Sequence, residues 1–208
     1  SAVELDRQWA QVTAAGRLVA DGRAGATGRV LRSLLADGRP VALRLAALRT
    51  LAAAEGMGAW NAVAAMLRDA NPQMRLTAAA TVGDFKDPAV AARVGGLMSS
   101  LQADVQAAVI NVLASHPTPE VRALLESATA SVDESVRLSS VKALGTAGDV
   151  SNVATMLRLA ATRDDLGDAA RASLARLPGE AVSEKLAALL AGADEGMRII
   201  LLTALGER

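Results

Sequence analysis

A short phrase returns through this chain at nearly constant intervals. It reads LRLAALRTLA from Leu43, MRLTAAATVG from Met74, VRLSSVKALG from Val136 and MRIILLTALG from Met197. The last Leu or Val of each copy, together with two weaker copies, marks Leu51, Val82, Leu113, Leu144, Leu177 and Leu205. The first four markers are evenly spaced, the step to Leu177 is slightly longer, and the step to Leu205 is slightly shorter. A period of this length makes each copy one supersecondary unit that cannot bury its apolar face alone, so the copies must stack on one another.

Each period holds two apolar segments of helix length. The phrase itself is the leading segment; the trailing segments are 60–67 (WNAVAAML), 90–98 (VAARVGGLM), 121–128 (VRALLESA), 153–159 (VATMLRL) and 182–190 (VSEKLAALL). Breakers fall between them: Gly83-Asp84 then Asp87-Pro88, His116-Pro117-Thr118-Pro119, residues 145–148 then Asp149, and Pro178-Gly179. These read as helix stops and starts. Nothing alternates with a period of two over a useful length, so strands are not expected. Composition agrees, because the apolar half of the chain is Ala, Leu and Val, with only two Trp, one Phe and no Tyr. Small aliphatic side chains suit closely approaching helices.

The columns of the phrase predict which faces are buried. Leu43, Met74, Val105, Val136, Ala169 and Met197 form one apolar column, and Ala47, Ala78, Val109, Ser140, Ser173 and Leu201 a second, one helical turn on. Both share a helical face with the marker column.

The copy DESVRLSSVKALG at 133–145, with its pattern of Asp, then Val-Arg, then small residues and a closing Ala-Leu-Gly, carries a resemblance. In pattern and in period it resembles the short HEAT-like repeats first associated with phycobilisome lyases, over residues 38–208. The resemblance implies an all-α, right-handed α-α superhelix, a solenoid of about six helical hairpins, with the Val-Arg helix lining the concave surface. It does not imply lyase activity. On this reading residues 1–208 are one solenoid domain, 1–36 being a degenerate N-terminal repeat and 37–208 the regular ones. In the degenerate part, 3–19 is taken as a trailing helix and 28–36 as the leading helix of the next unit.

Arg44, Arg75, Arg137 and Arg198 stand two turns before their markers, and Arg171 replaces them in the slipped fifth copy. The resemblance makes this column a structural ladder, each Arg laying its stem on the adjacent unit and bonding a turn Asp or a carbonyl. The residue after each Arg points toward the inner face: Leu45, Leu76, Ala107, Leu138, Arg171, Ile199. One turn further lie Leu48, Ala79, Ile110, Val141, Leu174 and Leu202, beside Arg49, Asn111 and Lys142. The expected partner-binding face is therefore Leu45, Leu48, Arg49, Leu76, Asn111, Leu138, Lys142 and Ile199, because an accessible apolar strip of this kind marks an interaction site. The final copy has four large apolar residues in a row, 199–202, and is no polar cap. It predicts a chain that continues as one domain of a longer protein or, second, a homodimer contact through the C-terminal helix.

Chemistry is sparse. No Cys is present, and the one His, His116, precedes Pro117 in a turn. Asp164, Asp165 and Asp168 read as a helix start rather than a cation site. The loop GRAGATGR at 22–29 lacks the strand and Lys-Ser/Thr of a nucleotide cradle; an anion near Gly28, Arg23 and Arg29 is a minor reading. Trp60 reads as a core plug and Trp9 as a seal on the N-terminal end. Catalytic residues, cofactors and metals are accordingly not expected. The 22 basic and 22 acidic residues balance, so nucleic acid is a disfavoured partner, although residues 1–50 hold eight Arg against four acids. No apolar run approaches the ~18 residues of a membrane span. The function expected is non-catalytic protein binding or scaffolding, the partner being another protein or adjacent domains of the same chain. A lyase-like accessory subunit holding a small apolar ligand and a nucleic-acid binder using the Arg-rich quarter are the alternatives.

Overall fold

The structure, a computed structural model, describes residues 2–23, 25 and 27–208, and among these every regular element is helical. The elements are α1 (Ala2–Ala20), α2 (Gly28–Leu34), α3 (Val41–Glu55), α4 (Trp60–Met66), α5 (Pro72–Val82), α6 (Ala89–Gly95), α7 (Ala103–Leu113), α8 (Pro119–Ala128), α9 (Glu134–Ala147), α10 (Val153–Ala160), α11 (Asp165–Arg176), α12 (Glu180–Leu189) and α13 (Glu195–Gly206). Short 3-10 turns at Gly56–Ala59, Met98–Ser100, Val150–Asn152 and Leu190–Gly192 flank trailing or leading helices. The leading helices α3, α5, α7, α9 and α11 begin at Val41, Pro72, Ala103, Glu134 and Asp165, an unvarying step.

Local chemistry sets those starts. Asn71 accepts from the backbone N–H groups of Gln73 (2.9 Å) and Met74 (3.3 Å), and Asp133 from Ser135 (2.9 Å) and Val136 (3.2 Å). Asp164 caps α11 through Gly167 and Asp194 caps α13 through Met197, both at 2.8 Å. Each side chain satisfies amide donors that the first helical turn leaves free. The turn at His116 likewise ends in a cap, Thr118 accepting from Val121 at 3.2 Å with Pro119 at the first helical position.

Contacts group the chain into two compact units, one comprising residues 1–90 and 99–105, the other 91–98 and 106–208. In the first, α3 packs on α1, α2, α4 and α5, and α4 on α5. Trp60 is buried there against Phe85, ring centroids 6.2 Å apart and tilted by 58°. In the second, α9 packs on α11 and α11 on α13, while α8, α10 and α12 pack on α9, α11 and α13 respectively. Within both units a leading helix therefore meets the next leading helix, and a trailing helix meets the leading helix that follows it. By the same pattern α1 stands where a leading helix would and α2 where a trailing one would, since α1 packs on α3 and α2 also packs on α3. That reverses the roles expected for residues 3–19 and 28–36.

The core follows the columns except at Ala169, Met197 and Leu205, which are half-buried. Leu43, Met74, Val105 and Val136 are fully buried, as are Ala47, Ala78, Val109, Ser140 and Ser173. Leu51, Val82, Leu113, Leu144 and Leu177 are buried too, so the longer step to Leu177 is real: α11 starts on the regular period but runs slightly further before the phrase begins. Gly145, expected to stop α9, lies inside it. The helix continues to Ala147, and a Cβ on Gly145 would stand 2.8 Å from Ser173 Cβ and 3.0 Å from Ser173 Cα. Its missing side chain lets α9 and α11 approach, and Gly148 is the actual cap.

Candidate partner-binding surface

The Arg residues of the repeated phrase close the turns that lead into their own helices. Arg137 donates to the carbonyls of Ser131 (2.9 Å) and Val132 (3.0 Å), Arg75 to Asp69 and Ala70 (both 3.1 Å), and Arg198 to Ala193 (3.0 Å). Arg171 does the same in the slipped copy, donating to Ala160 and, at 3.0 Å, to Thr162. Turn carbonyls have no helical partner, so a guanidinium fork satisfies two at once.

Two of these Arg also reach forward along the chain. Arg44, its side chain 6% exposed, donates to Leu35 O at 3.0 Å and pairs with the equally buried Asp69, while Asp37 stands 3.1 Å away in solvent. Arg75 pairs with Asp104 at 3.4 Å. The acceptors Asp69 and Asp104 were not singled out in the sequence. Their signal is their place near the start of the following leading helix, just before Asn71 and inside the first turn of α7.

The residue after each Arg stays accessible. Leu76 is 45% and Ile199 61% exposed, with Leu45, Ala107 and Leu138 half-buried. Leu48, placed on the partner face by the sequence, is fully buried, as are Ala79, Ile110, Val141 and Leu174 in its column. Leu48 belongs to the core because α3 packs on neighbours at two sides, α1 and α5, which widens its buried arc beyond the stripe that periodicity suggests. Arg49 and Lys142 are exposed, as is Asn111. In the first unit Arg49 borders a cleft of about 460 Å³ whose walls include Met57, Phe85 and Lys86; in the second, Asn111, Leu138, Lys142 and Ile199 present the corresponding positions.

Other singled-out residues take structural places. His116 is exposed in its turn. Asp164 caps α11, held below the usual carboxylate range first by the Thr162 hydroxyl and then by the Gly167 amide; Asp168 pairs with Arg171. At Gly28 the Glu55 carboxylate already fills the space a Cβ would take, bound by Arg32 at 2.7 Å, so the anion position there is occupied by the protein itself. Ala24 and Ala26 of that loop lie outside the described residues. Trp9 is 37% exposed on α1. Of the eight N-terminal Arg, Arg7, Arg32 and Arg44 are paired with Glu4, Glu55 and Asp69. Among the described residues no group of three His, Cys, Asp or Glu could hold a metal ion, and no helix is long and apolar enough to cross a membrane.

What these features define is a protein all of whose described regular structure is α-helical. No known family model matches the chain, and no curated protein matches it. A solved crystal structure of an engineered protein aligns over 98% of this chain and 89% of its own length, at 15% identity and a TM-score of 0.32, a likeness too distant to bear on fold or function.

Proposed function

We propose that this chain is a HEAT-like α-solenoid module that binds another protein, without catalysis, through the exposed faces of its leading helices. The observation that carries the reading is the row beside the Arg column. Leu76 and Ile199 stand in solvent and Leu45 and Leu138 half in it, and a row of accessible aliphatic positions is a feature that interaction surfaces share. Arg49, Asn111 and Lys142 flank the row with hydrogen-bonding groups, giving apolar positions with a polar margin. The regular helix starts and the leading-on-leading packing within each unit support a stack of about six hairpins, in which this row would line the concave side. The ion pairs of Arg7, Arg32 and Arg44 take charge away from a nucleic-acid surface.

The test is Asp substitution at Leu45, Leu76 and Leu138, with partner capture from the source cell followed by reconstitution from purified components. The reading requires that capture be lost while the melting midpoint and solubility of the variants hold. Capture and solubility both unchanged would refute it.

A further inference from the structure

Of the arginines on α3 and α5, Arg44 and Arg75 are paired with Asp69 and Asp104. Arg49 is exposed and, among the described residues, has no ion-pair partner; the same holds for Asp84, in the turn that follows α5. These two opposite charges line one cleft of about 460 Å³, a volume within the range of ligand sites, yet they stand beyond ion-pair reach of each other. Ala52, Ala53, Met57 and Phe85 give the cleft apolar walls. The other ionisable residues lining it are engaged: Asp87 accepts from the Ala89 amide at 2.8 Å, and Lys86 has an interaction of its own within the protein.

The repeat explains the separation. One period relates Arg49 to Ala80 and Ala53 to Asp84, so each charge stands opposite an alanine and the two charges lie on a diagonal. Four residues of helix advance about 6 Å and packed helix axes stand about 8–10 Å apart, which makes the diagonal on the order of 10 Å. The backbone strengthens its negative end. Helices α3 and α5 finish beside the cleft at Glu55 and Val82, and neither has a basic residue in its last turn, so their terminal carbonyls add to the Asp84 carboxylate. An extended chain advances about 3.3 Å per residue and alternates its side chains between two sides. Residues three apart therefore span the diagonal and face opposite walls, one toward Arg49 and the other toward Asp84.

We infer that this cleft takes an extended segment of the partner protein in which an acidic and a basic residue stand three positions apart with apolar residues between them, the acid on Arg49 and the base on Asp84. The inference rests on the protein-binding reading above and adds the chemistry of what is bound. Trp60 packs on Phe85, a wall of the cleft, with ring centroids 6.2 Å apart, and the other tryptophan, Trp9, lies on α1, so in a Trp9→Phe background the fluorescence of Trp60 reports occupancy. The probes are the blocked tetrapeptides Glu-Leu-Leu-Lys and Lys-Leu-Leu-Glu, covering both chain directions, with Gln replacing each charge singly and both together. One charged peptide should give a saturable shift, and the doubly neutral one should bind more weakly. Arg49→Ala and Asp84→Ala, both at exposed positions, should keep the melting midpoint and each weaken that charged peptide about two- to five-fold, the range of exposed ion pairs. Arg49→Ala should remove the advantage of the peptide's Glu alone, and Asp84→Ala that of its Lys alone. No saturable shift at millimolar peptide, equal binding of the neutral peptide, or losses that do not track the matching peptide charge would each overturn the inference. Leu138→Asp, in the second unit, should lose partner capture but keep peptide binding. A partner whose capture needs Leu138 but is indifferent to Arg49→Ala and Asp84→Ala would overturn the cleft and leave the broader reading standing.

Discussion

Replacing Gly145 by Ala sets two effects of opposite sign against each other. In the middle of a helix this substitution ordinarily stabilises by about 0.5–1 kcal/mol, since Ala loses less conformational freedom on folding. At Gly145 the added methyl would stand 2.8 Å from Ser173 Cβ and 3.0 Å from Ser173 Cα. The second of these is a backbone atom, so no rotamer change relieves the clash. Helices α9 and α11 must separate by roughly 1 Å, and a gap of that size forfeits a quarter to a half of each affected van der Waals contact. Overpacking of this kind costs about 1–3 kcal/mol, so the net expected effect is a loss of up to about 2.5 kcal/mol. For a chain of this length that lowers the melting midpoint by up to about 10 °C. The reference is Gly196→Ala on α13, whose added methyl would find only the Asp194 carboxylate oxygen, at 3.6 Å, and which should raise the midpoint. Thermal denaturation followed by circular dichroism reads both. If Gly145→Ala stabilises as much as Gly196→Ala, the close approach of α9 and α11 is not what fixes glycine at this position.

Removing Asp69 leaves Arg44 buried without its main counter-charge, so Asp69→Ala should cost about 3 kcal/mol; Asp37→Ala, at the 97% exposed end of the same cluster, should change the urea midpoint little. Leu48→Ala, at a fully buried site, should cost about 2–5 kcal/mol, while Leu76→Ala should stay within about 0.5 kcal/mol; equal losses by chemical denaturation would mean the row beside the Arg column is buried as well. Asp133, Asp149 and Asp164 are held below the ordinary carboxylate value of 3.8, chiefly by the hydroxyls of Ser135, Ser151 and Thr162. A lowered folded-state pKa gives stability that is complete above the unfolded value and disappears as pH falls through the folded one. Acid destabilisation is therefore expected below pH 3.8, and Ser135→Ala should raise the Asp133 titration midpoint read by carboxyl carbon NMR.

Much of the architecture was legible along the chain, and particular residues show why. A helix start is a local event, so Asp133 and Asp164 announce two of them by side-chain chemistry that acts within a single turn. The buried columns through Leu43 and Leu51 were legible because helical periodicity places them on one face whatever the neighbours are. Exposure was legible in part: Leu76 and Ile199 are open to solvent as the pattern expected, and Leu48 is buried.

By itself the sequence determined that the chain is helical, that its leading helices recur at a near-constant interval, and which stripe of each helix turns inward. These depend on short-range geometry and on the spacing of apolar groups. Tertiary structure alone decided how wide each buried stripe is, because that depends on how many helices crowd a given one. Only packing could show that Leu48 is core and Leu45 half-exposed, and that Gly145 is a site of helix contact rather than a helix stop. In each case the deciding quantity is the distance to a side chain or backbone far along the chain, which no local pattern contains.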